Sequence, residues 1–423
     1  MNKKKRIDTL QDLIILCLLI SAVFIITRLP FFQTSWAPRM QALLSPGSDS
    51  ADHGAPADLD TVISSVHLAV MGNLEYGRHT QYSVPVDSDQ FLQMLPLFRE
   101  ALGSAGEPES ADHHQLQQAL LSPSLCLDLT RQLPLEAVAF WLGDSISFPG
   151  EVRGIALTTL EDTTALYLWD ESITITCCST ALSSSAVESL ALTFAPNGGS
   201  FGFESDHQAL APYTILVSDV APISRLYAAL PDGYSAYNLL TALDFNAHTN
   251  SRYFESSGTE VVEVPSGSLR IGQNGAVEYS GDQDNTSPLY QLSISGQSAT
   301  AVEALDGARR LASALVSGTN ASPLYLSDME LTADGWLVSF RYQAEGIPVL
   351  MSSGEQALTV TITGSTITAF TYRCRTYTSS EETSTLLPPT MAAAIAAQQP
   401  GAGLSINYVD NGGELLSARW ITS

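Results

Sequence analysis

The 423-residue chain carries 19 Lys and Arg against 44 Asp and Glu, a formal net charge of −25 at pH 7. A surface this acidic excludes direct binding to DNA or RNA, because phosphate binding requires a basic surface, and it argues against docking of most of the chain on anionic lipid. With 45% apolar and 15% charged residues, the chain can form two or three domains with buried cores.

The N-terminus predicts a membrane anchor. Every lysine of the chain lies at residues 3 to 5, and Arg6 follows them. The next run, Leu13–Thr27, carries no charge, and cytoplasmic flanks of membrane helices retain Lys and Arg. We therefore predict a cytoplasmic tail (residues 1–12), a single transmembrane helix (residues 13–32) and an extracellular location for the rest of the chain.

A cleaved signal peptide is the alternative to this anchor, because the uncharged run is shorter than the roughly 20 residues that span the hydrocarbon core. We favour the retained anchor, since Leu29–Phe32 extends the apolar length and no small-x-small cleavage site follows. Two small residues of the run, Ser21 and Ala22, would allow close approach of a second membrane helix, and lipid-facing filler is the alternative interpretation.

Residues 33–60 are predicted to be a juxtamembrane linker, because Ser45–Asp60 is rich in Pro, Gly, Ser and Asp. Residues 61–230 are predicted to be an N-terminal extracellular α+β domain. Its predicted strands are Val62–Val70, Val152–Leu160, Ala165–Trp169 and Ile173–Cys177, and its predicted helices are Asp87–Leu102, His113–Leu121 and Leu135–Leu142. For the first of these helices, Ser88 and Asp89 fit the start and Gly103 fits the end.

Residues 231–295 are predicted to be a central domain in which a helix, Ala236–Leu243, precedes a meander of antiparallel strands. Its predicted strands are Arg252–Glu255, Glu260–Val264, Ser268–Ile271 and Ala276–Tyr279. The pair Asn274-Gly275 predicts a two-residue hairpin turn between the last two strands, because such turns need positive φ.

Residues 296–423 are predicted to be a C-terminal domain that repeats this order, a long amphipathic helix over Gln297–Val316 followed by strands. Its predicted strands are Tyr325–Thr332, Leu337–Tyr342, Pro348–Met351, Ala357–Ile362, Thr366–Tyr377, Leu404–Val409 and Leu415–Ile421, with a short helix over Thr390–Ala397. The fold class is therefore α+β, with helices on one face of each antiparallel sheet.

The sequence offers little catalytic or metal-binding chemistry. It contains neither Ser-x-x-Lys nor His-Glu-x-x-His, and Gly198–Phe203 is interpreted as a plain loop. The pair His113-His114 is interpreted as a solvated helix N-terminus rather than a metal site, because no third ligand is specified. Cys177 and Cys178 are neighbours on a predicted strand and should lie on opposite faces, so buried free thiols are favoured over a disulfide. We predict no catalytic residue, no cofactor and no metal.

Two stretches resemble one protein family. The segment Thr241–Tyr279 resembles the central region of YycH-type regulators of two-component systems. The matching parts are Phe245-Asn246, Asn250, Tyr253, Gly258-Thr259, Leu269–Ile271 and Asn274-Gly275. Downstream, Trp336–Tyr342, Gly346–Val349 and Ala357–Tyr377 resemble the later meander of YycH and YycI, whose folds are related to the PepSY-like class.

The resemblance implies a membrane-anchored, non-enzymatic accessory protein of Gram-positive bacteria that regulates a cell-envelope sensor histidine kinase. It implies two PepSY-like helix-plus-sheet domains and a heterodimer with a related YycI-like anchored protein, and it supplies no catalytic residues. Ser21 and Ala22 are our candidates for contacts in the membrane. For Trp336 and Trp420, half-buried core packing is the default interpretation and use at an interface is the alternative.

A second function class is an extracellular PepSY-like binding module that captures a peptide, a protease or a cell-wall fragment. An exposed edge strand in the last meander would accept an extended peptide by strand addition. A divergent hydrolase is the third class, and turnover of cell-wall material would reveal it.

Overall fold

A computed structural model of the chain describes residues 66–71, 77–84, 88–206, 209–249, 251–281, 289–351 and 354–422. All of them belong to one compact unit that runs from Pro56 to Ser423. The predicted cytoplasmic tail, transmembrane helix and juxtamembrane linker lie outside the described residues.

An antiparallel sheet of seven strands forms the N-terminal part, in the order β2-β1-β4-β5-β6-β7-β3. The strands are β1 (Val66–Met71), β2 (Arg78–Val84), β3 (Glu109–Ala111), β4 (Ser124–Pro134), β5 (Glu151–Leu160), β6 (Thr163–Trp169) and β7 (Ile175–Ser183). Four helices accompany them: α1 (Asp89–Gly103), α2 (His113–Leu120), α3 (Leu135–Leu142) and α4 (Ser184–Ala191). The predicted ends of α1 are confirmed, since the Ser88 hydroxyl caps its first turn and Gly103 is its last residue.

This sheet is buried on both faces. On one face, Phe91 of α1 and Trp141 of α3 pack with Leu125 and Leu127 of β4. On the other face, α2 packs over a smaller cluster that includes Cys126. The sequence Leu125–Leu129 is therefore almost continuously apolar, with Asp128 its only charged residue, which is typical of a strand that has helices on both sides.

A connecting region links the two parts of the protein. Short strands β8 (Ser200–Phe201) and β9 (Ile215–Leu216) pair with each other, and a 3₁₀ turn follows β8 at Gly202–Glu204. The next strand, β10 (Ser224–Ala229), pairs with strands from the C-terminal part of the chain. The end of the predicted N-terminal domain is thus built into a sheet with C-terminal strands.

The C-terminal part contains a sheet of eleven strands and three helices. The strands of the whole part are β11 (Arg252–Phe254), β12 (Glu260–Val264), β13 (Gly267–Ile271), β14 (Ala276–Gly281), β15 (Leu324–Thr332), β16 (Gly335–Ala344), β17 (Ile347–Met351), β18 (Leu358–Thr363), β19 (Thr366–Arg373), β20 (Thr376–Thr383), β21 (Leu404–Asp410), β22 (Leu415–Leu416) and β23 (Ala418–Thr422). The helices are α5 (Ala236–Ala242), α6 (Ala301–Thr319) and α7 (Pro389–Ala396).

The large sheet runs in the order β11-β12-β13-β14-β19-β18-β16-β17-β21-β23, and β15 pairs with β16 on its other side. β20 and β22 flank β10 in a separate three-stranded sheet. Every pair of the large sheet is antiparallel except β17 with β21, which is parallel.

The expectation of a separate sheet for the central and the C-terminal domain is wrong. β14 pairs with β19 along Ala276–Ser280, so the central strands continue the C-terminal sheet. This pairing satisfies backbone groups of β14 that an isolated meander would leave exposed at its edge. The two helices that precede these strands, α5 and α6, also pack against each other. The domain borders after residues 230 and 295 stay a prediction.

Some predicted elements differ in detail from the structure. The turn at Asn274-Gly275 exists, but four residues join β13 to β14 and only Gly275 has positive φ (90°), so it is not a two-residue hairpin turn. The predicted strand Thr366–Tyr377 is divided between β19 and β20, which belong to different sheets. Cys126, Cys178 and Cys374 are buried, Cys177 is half-buried, and all four are free thiols.

The core of the C-terminal part lies between α6 and the large sheet. Leu305, Leu311 and Leu315 of α6 are fully buried, and so are Phe340 and Tyr342 of β16. The helix begins at Ala301, four residues later than predicted, because Thr300 and Glu303 form a capping box that fixes the first turn.

This capping box predicts an acid-sensitive contribution to stability. The Glu303 carboxylate accepts hydrogen bonds from the backbone N–H groups of Thr300 (2.8 Å) and Ser295 (2.7 Å). The Thr300 bond is the largest cause that lowers the pKa of Glu303 below its ordinary 4.5. We expect Glu303→Gln to lower the free energy of unfolding by about 1 kcal/mol at pH 7.

Since the folded-state pKa is the lower one, this contribution is complete above pH 4.5 and is lost as the pH falls through the folded-state value. Urea unfolding at several pH values measures the difference between the two proteins. Glu330→Gln, at an exposed position of β15, is the matched control. A loss for Glu303→Gln that stays constant down to pH 3 would contradict the role of the carboxylate.

Candidate interaction surfaces

The predicted membrane contacts, Ser21 and Ala22, lie outside the described residues. Among the residues that are described, no helix is long and apolar enough to cross a membrane. The part of the chain that can be tested for partner surfaces is therefore the unit formed by the two large sheets.

Trp336 lies at the start of β16 and is half-buried against the core under α6. Its indole N–H donates a hydrogen bond to the carbonyl of Ala299, 2.8 Å away, just before α6 begins. The side chain therefore ties the large sheet to the entry of α6, and its use at an interface stays a prediction.

Trp420 lies on β23, which forms one end of the large sheet, and is also half-buried. Its indole N–H donates to the carbonyl of Leu387, 2.8 Å away, in the segment that leads into α7. Trp336 and Trp420 are not brought together, because β17 and β21 separate their strands. An interface role for Trp420 likewise stays a prediction.

Three exposed apolar side chains lie just before α7 and along its outer side. Met391 and Ile395 are 52% and 48% exposed, and their spacing of four residues puts them on one side of the helix, while Leu387, 46% exposed, lies in the segment just before the helix begins. We call these three residues the α7 ridge. The opposite side of α7 is buried through its alanines, against Leu210 and Leu404. The helix is thus apolar on both sides, although only one side has a partner among the described residues.

The opposite end of the large sheet carries exposed aromatic residues. β11 pairs with β12 alone among the described strands, and its Tyr253 and Phe254 are 53% and 68% exposed. The strand is held in place by Arg252, whose guanidinium lies 3.3 Å from the Glu260 carboxylate. Tyr237, 52% exposed, packs edge-to-face on His248. Exposed edge strands present backbone groups to which an extended chain can pair.

The sequence motifs that suggest chemistry do not form a catalytic site in the described part. The interpretation of Gly198–Phe203 as a plain loop is wrong in part, because Ser200 and Phe201 form β8 and a 3₁₀ turn follows. Sequence reasoning also missed that Gly198–Gly202 matches the Gly-x-Ser-x-Gly pattern of nucleophile elbows, but no described histidine bonds to Ser200. His113 at the start of α2 stacks on Tyr213 and lies 3.2 Å from its hydroxyl. No group of three His, Cys, Asp or Glu among the described residues is placed to hold a metal ion.

The fold has a counterpart among solved structures. The crystal structure of YycH from Bacillus subtilis superimposes with a TM-score of 0.54 and covers 86% of this chain and 94% of that chain, at 11% sequence identity. The protein has a YycH-type fold. The stretches that resemble YycH, Thr241–Tyr279 and Trp336–Tyr377, lie mainly in the large sheet. No family model and no curated protein matches the chain.

Sequence reasoning missed the exposed apolar residues of this YycH-type fold. Tyr253 and Phe254 are adjacent in a strand, so they point to opposite faces and cannot both enter one core. The sequence of α7, PTMAAAIA, contains no charged residue and therefore leaves apolar groups on its outer side. Both signals were present in the sequence, and both indicate apolar side chains that stay exposed on the surface of the described part.

Proposed function

We propose that the protein is a membrane-anchored, non-enzymatic regulator of a cell-envelope sensor histidine kinase. The observation that carries this proposal is the YycH-type fold, which extends over 86% of the chain. The resemblance in the sequence implies regulation of a kinase, and the predicted anchor at residues 13–32 implies attachment to the membrane. In this proposal the bulk of the chain is extracellular. A related YycI-like anchored protein is the expected second partner.

The proposed mechanism is a shift between two signalling states of the kinase. The anchor packs beside the kinase helices more favourably in one state than in the other, and that difference moves the population. A difference of a few kcal/mol is enough to change the dominant state. The extracellular part makes contacts of its own, and these change how favourably the anchor packs in each state. The α7 ridge and the exposed edge of β11 offer apolar area for such contacts.

Bulky substitutions in the predicted anchor test this proposal. Ser21→Phe and Ala22→Phe are expected to change kinase-dependent transcription, because they prevent close approach of a second helix. Val23→Phe is the matched control, since helical spacing puts residue 23 on the far side of the predicted anchor. Unaltered transcription in Ser21→Phe and Ala22→Phe, with protein levels unchanged, would contradict the proposal.

The edge strands favour a second candidate, an extracellular module that captures an extended peptide. β11 and β23 each pair with a single described neighbour, so each has one open edge. Strand addition at either edge would give main-chain affinity, and at β11 the aromatic side chains would add contact area. A photoreactive residue at position 254 distinguishes this candidate from kinase regulation by what it captures.

A further inference from the structure

The second face of β16 is polar and buried. Ser339, Arg341 and Gln343 alternate with the core residues of the strand, so they point away from α6. All three are less than 9% exposed, because β4 and β5 of the N-terminal part close over this face of the large sheet. A small cavity between the two sheets lies here, and we call it the arginine cleft.

Three arginines line the arginine cleft: Arg131 of β4, Arg153 of β5 and Arg341 of β16. In a chain with a net charge of −25, such a concentration of positive charge is notable. The cavity has a volume of about 70 Å³, and its wall also includes Asp128 and Asn407. The space is large enough for a small group rather than a whole cofactor.

Two of the three arginines have no ion-pair partner among the described residues. Arg153 lies 3.4 Å from the Asp128 carboxylate and 3.7 Å from that of Glu171. No described carboxylate lies within 4 Å of the guanidinium of Arg131 or Arg341. Arg341 is only 8% exposed, and its Nε has no hydrogen-bond partner.

A buried guanidinium without an ion pair is costly, because water is removed and the Asp328 carboxylate, which acts on the charges of both Arg131 and Arg341, forms no ion pair with either. Burial lowers the pKa of Arg341 to about 10, and the nearby charge of Arg131 acts in the same direction, while Asp328 opposes it. Arg341 still carries its charge at pH 7. Two neighbouring cations with open donors form an arrangement that an anion would stabilise.

The surroundings indicate which anion fits. A second cavity of about 130 Å³ shares Asp128 and Arg153 with the arginine cleft, and its wall includes Trp169, Ile173 and Tyr213. Burial raises the pKa of Tyr213 to about 12, so its hydroxyl stays protonated and neutral. A singly charged group suits the arginines, since Asp128 on the wall would repel a dianion, and an apolar neighbour suits the aromatic wall.

We propose that the arginine cleft binds the C-terminal carboxylate of a peptide whose last side chain is apolar. The carboxylate accepts hydrogen bonds from Arg131 and Arg341, whose planar guanidinium groups match its two oxygens. The last side chain lies in the neighbouring cavity against Trp169 and Tyr213. Because the ligand contacts both large sheets, it links the N-terminal and the C-terminal part. The inference is independent of the kinase partner.

The test uses full-length protein in detergent micelles and two probes, N-acetyl-alanyl-phenylalanine with a free carboxylate and the same dipeptide as its C-terminal amide. Calorimetric titration is expected to show binding of the acid, with the amide at least about tenfold weaker, because only the acid offers a charge to the arginines. Arg131→Gln and Arg341→Gln are each expected to weaken binding of the acid by about tenfold or more.

Arg310→Gln is the matched control, because Arg310 lies on α6, is largely exposed and pairs with Asp306. Arg131 is exposed, so Arg131→Gln keeps the test valid even if Arg341→Gln fails to fold. Equal binding of acid and amide, no binding of the acid, or unchanged binding in Arg131→Gln would each overturn the proposal. Binding of inorganic phosphate without binding of the acid would overturn it as well.

Discussion

Replacing Phe340 by Ala is expected to lower the free energy of unfolding by about 3–5 kcal/mol. Phe340 lies in the middle of β16, is completely buried and faces α6. β16 is bonded to β15 on one side and to β18 on the other, so the strand cannot move to fill the space that the ring leaves. The lost contacts and the remaining cavity therefore both contribute to the loss.

The matched control is Leu331→Ala on the neighbouring strand β15. Leu331 is 66% exposed, and its truncation should change the free energy of unfolding by no more than about 0.5 kcal/mol. Urea unfolding of the full-length protein in detergent micelles measures both variants against the parent. Similar losses for the two variants would contradict the assignment of Phe340 to the core.

Replacing Gly335 by Ala is expected to cost at least about 3 kcal/mol. Gly335 opens β16 with φ at 134°, a region that residues with a side chain rarely adopt. A Cβ at this position would collide with the carbonyl oxygen of Ile362 on β18. The substitution therefore strains the backbone and separates two strands at the centre of the large sheet.

Gly364→Ala supplies the control for the conformational cost alone. Gly364 also has positive φ, 60°, but a Cβ there would meet open space. We expect a loss of about 1 kcal/mol for Gly364→Ala, from backbone conformation without a collision. Thermal unfolding of the two variants separates the two contributions. Equal losses would show that the contact with Ile362 has no energetic consequence.

The local elements that the sequence predicts best are those with their own start and stop signals. The helix α1 has its capping residue at Ser88 and its end at Gly103, and α3 has the predicted bounds Leu135–Leu142. The strands of the large sheet alternate apolar and polar residues, because for most of their length one face meets the core. Local signals of this kind need no knowledge of distant residues.

The pairing of distant segments could not be predicted in the same way. β4 lacks alternation because helices cover both faces of its sheet, so its sequence does not distinguish a strand from a buried helix. The continuation of β14 by β19 depends on residues about a hundred positions apart, and no local pattern encodes it. The prediction of a separate sheet for the central and for the C-terminal domain is wrong for this reason.

The candidate surfaces also differ in whether local sequence or the packing of distant segments determines them. The half-burial of Trp336 and Trp420 follows from their places in strands and was the default expectation. The arginine cleft brings together residues 131, 153 and 341, whose proximity depends on how the two large sheets pack. Each arginine alone has the appearance of an ordinary surface residue in the sequence.

Crosslinking in intact membranes tests the proposed regulation of a sensor kinase through the predicted membrane segment. A photoreactive residue replaces Ser21 or Ala22, and mass spectrometry identifies what it captures after illumination. We expect capture of a sensor histidine kinase or of an anchored sister protein. Capture of neither from these positions, while a photoreactive residue at position 254 captures a peptide or a protease, would contradict the proposal.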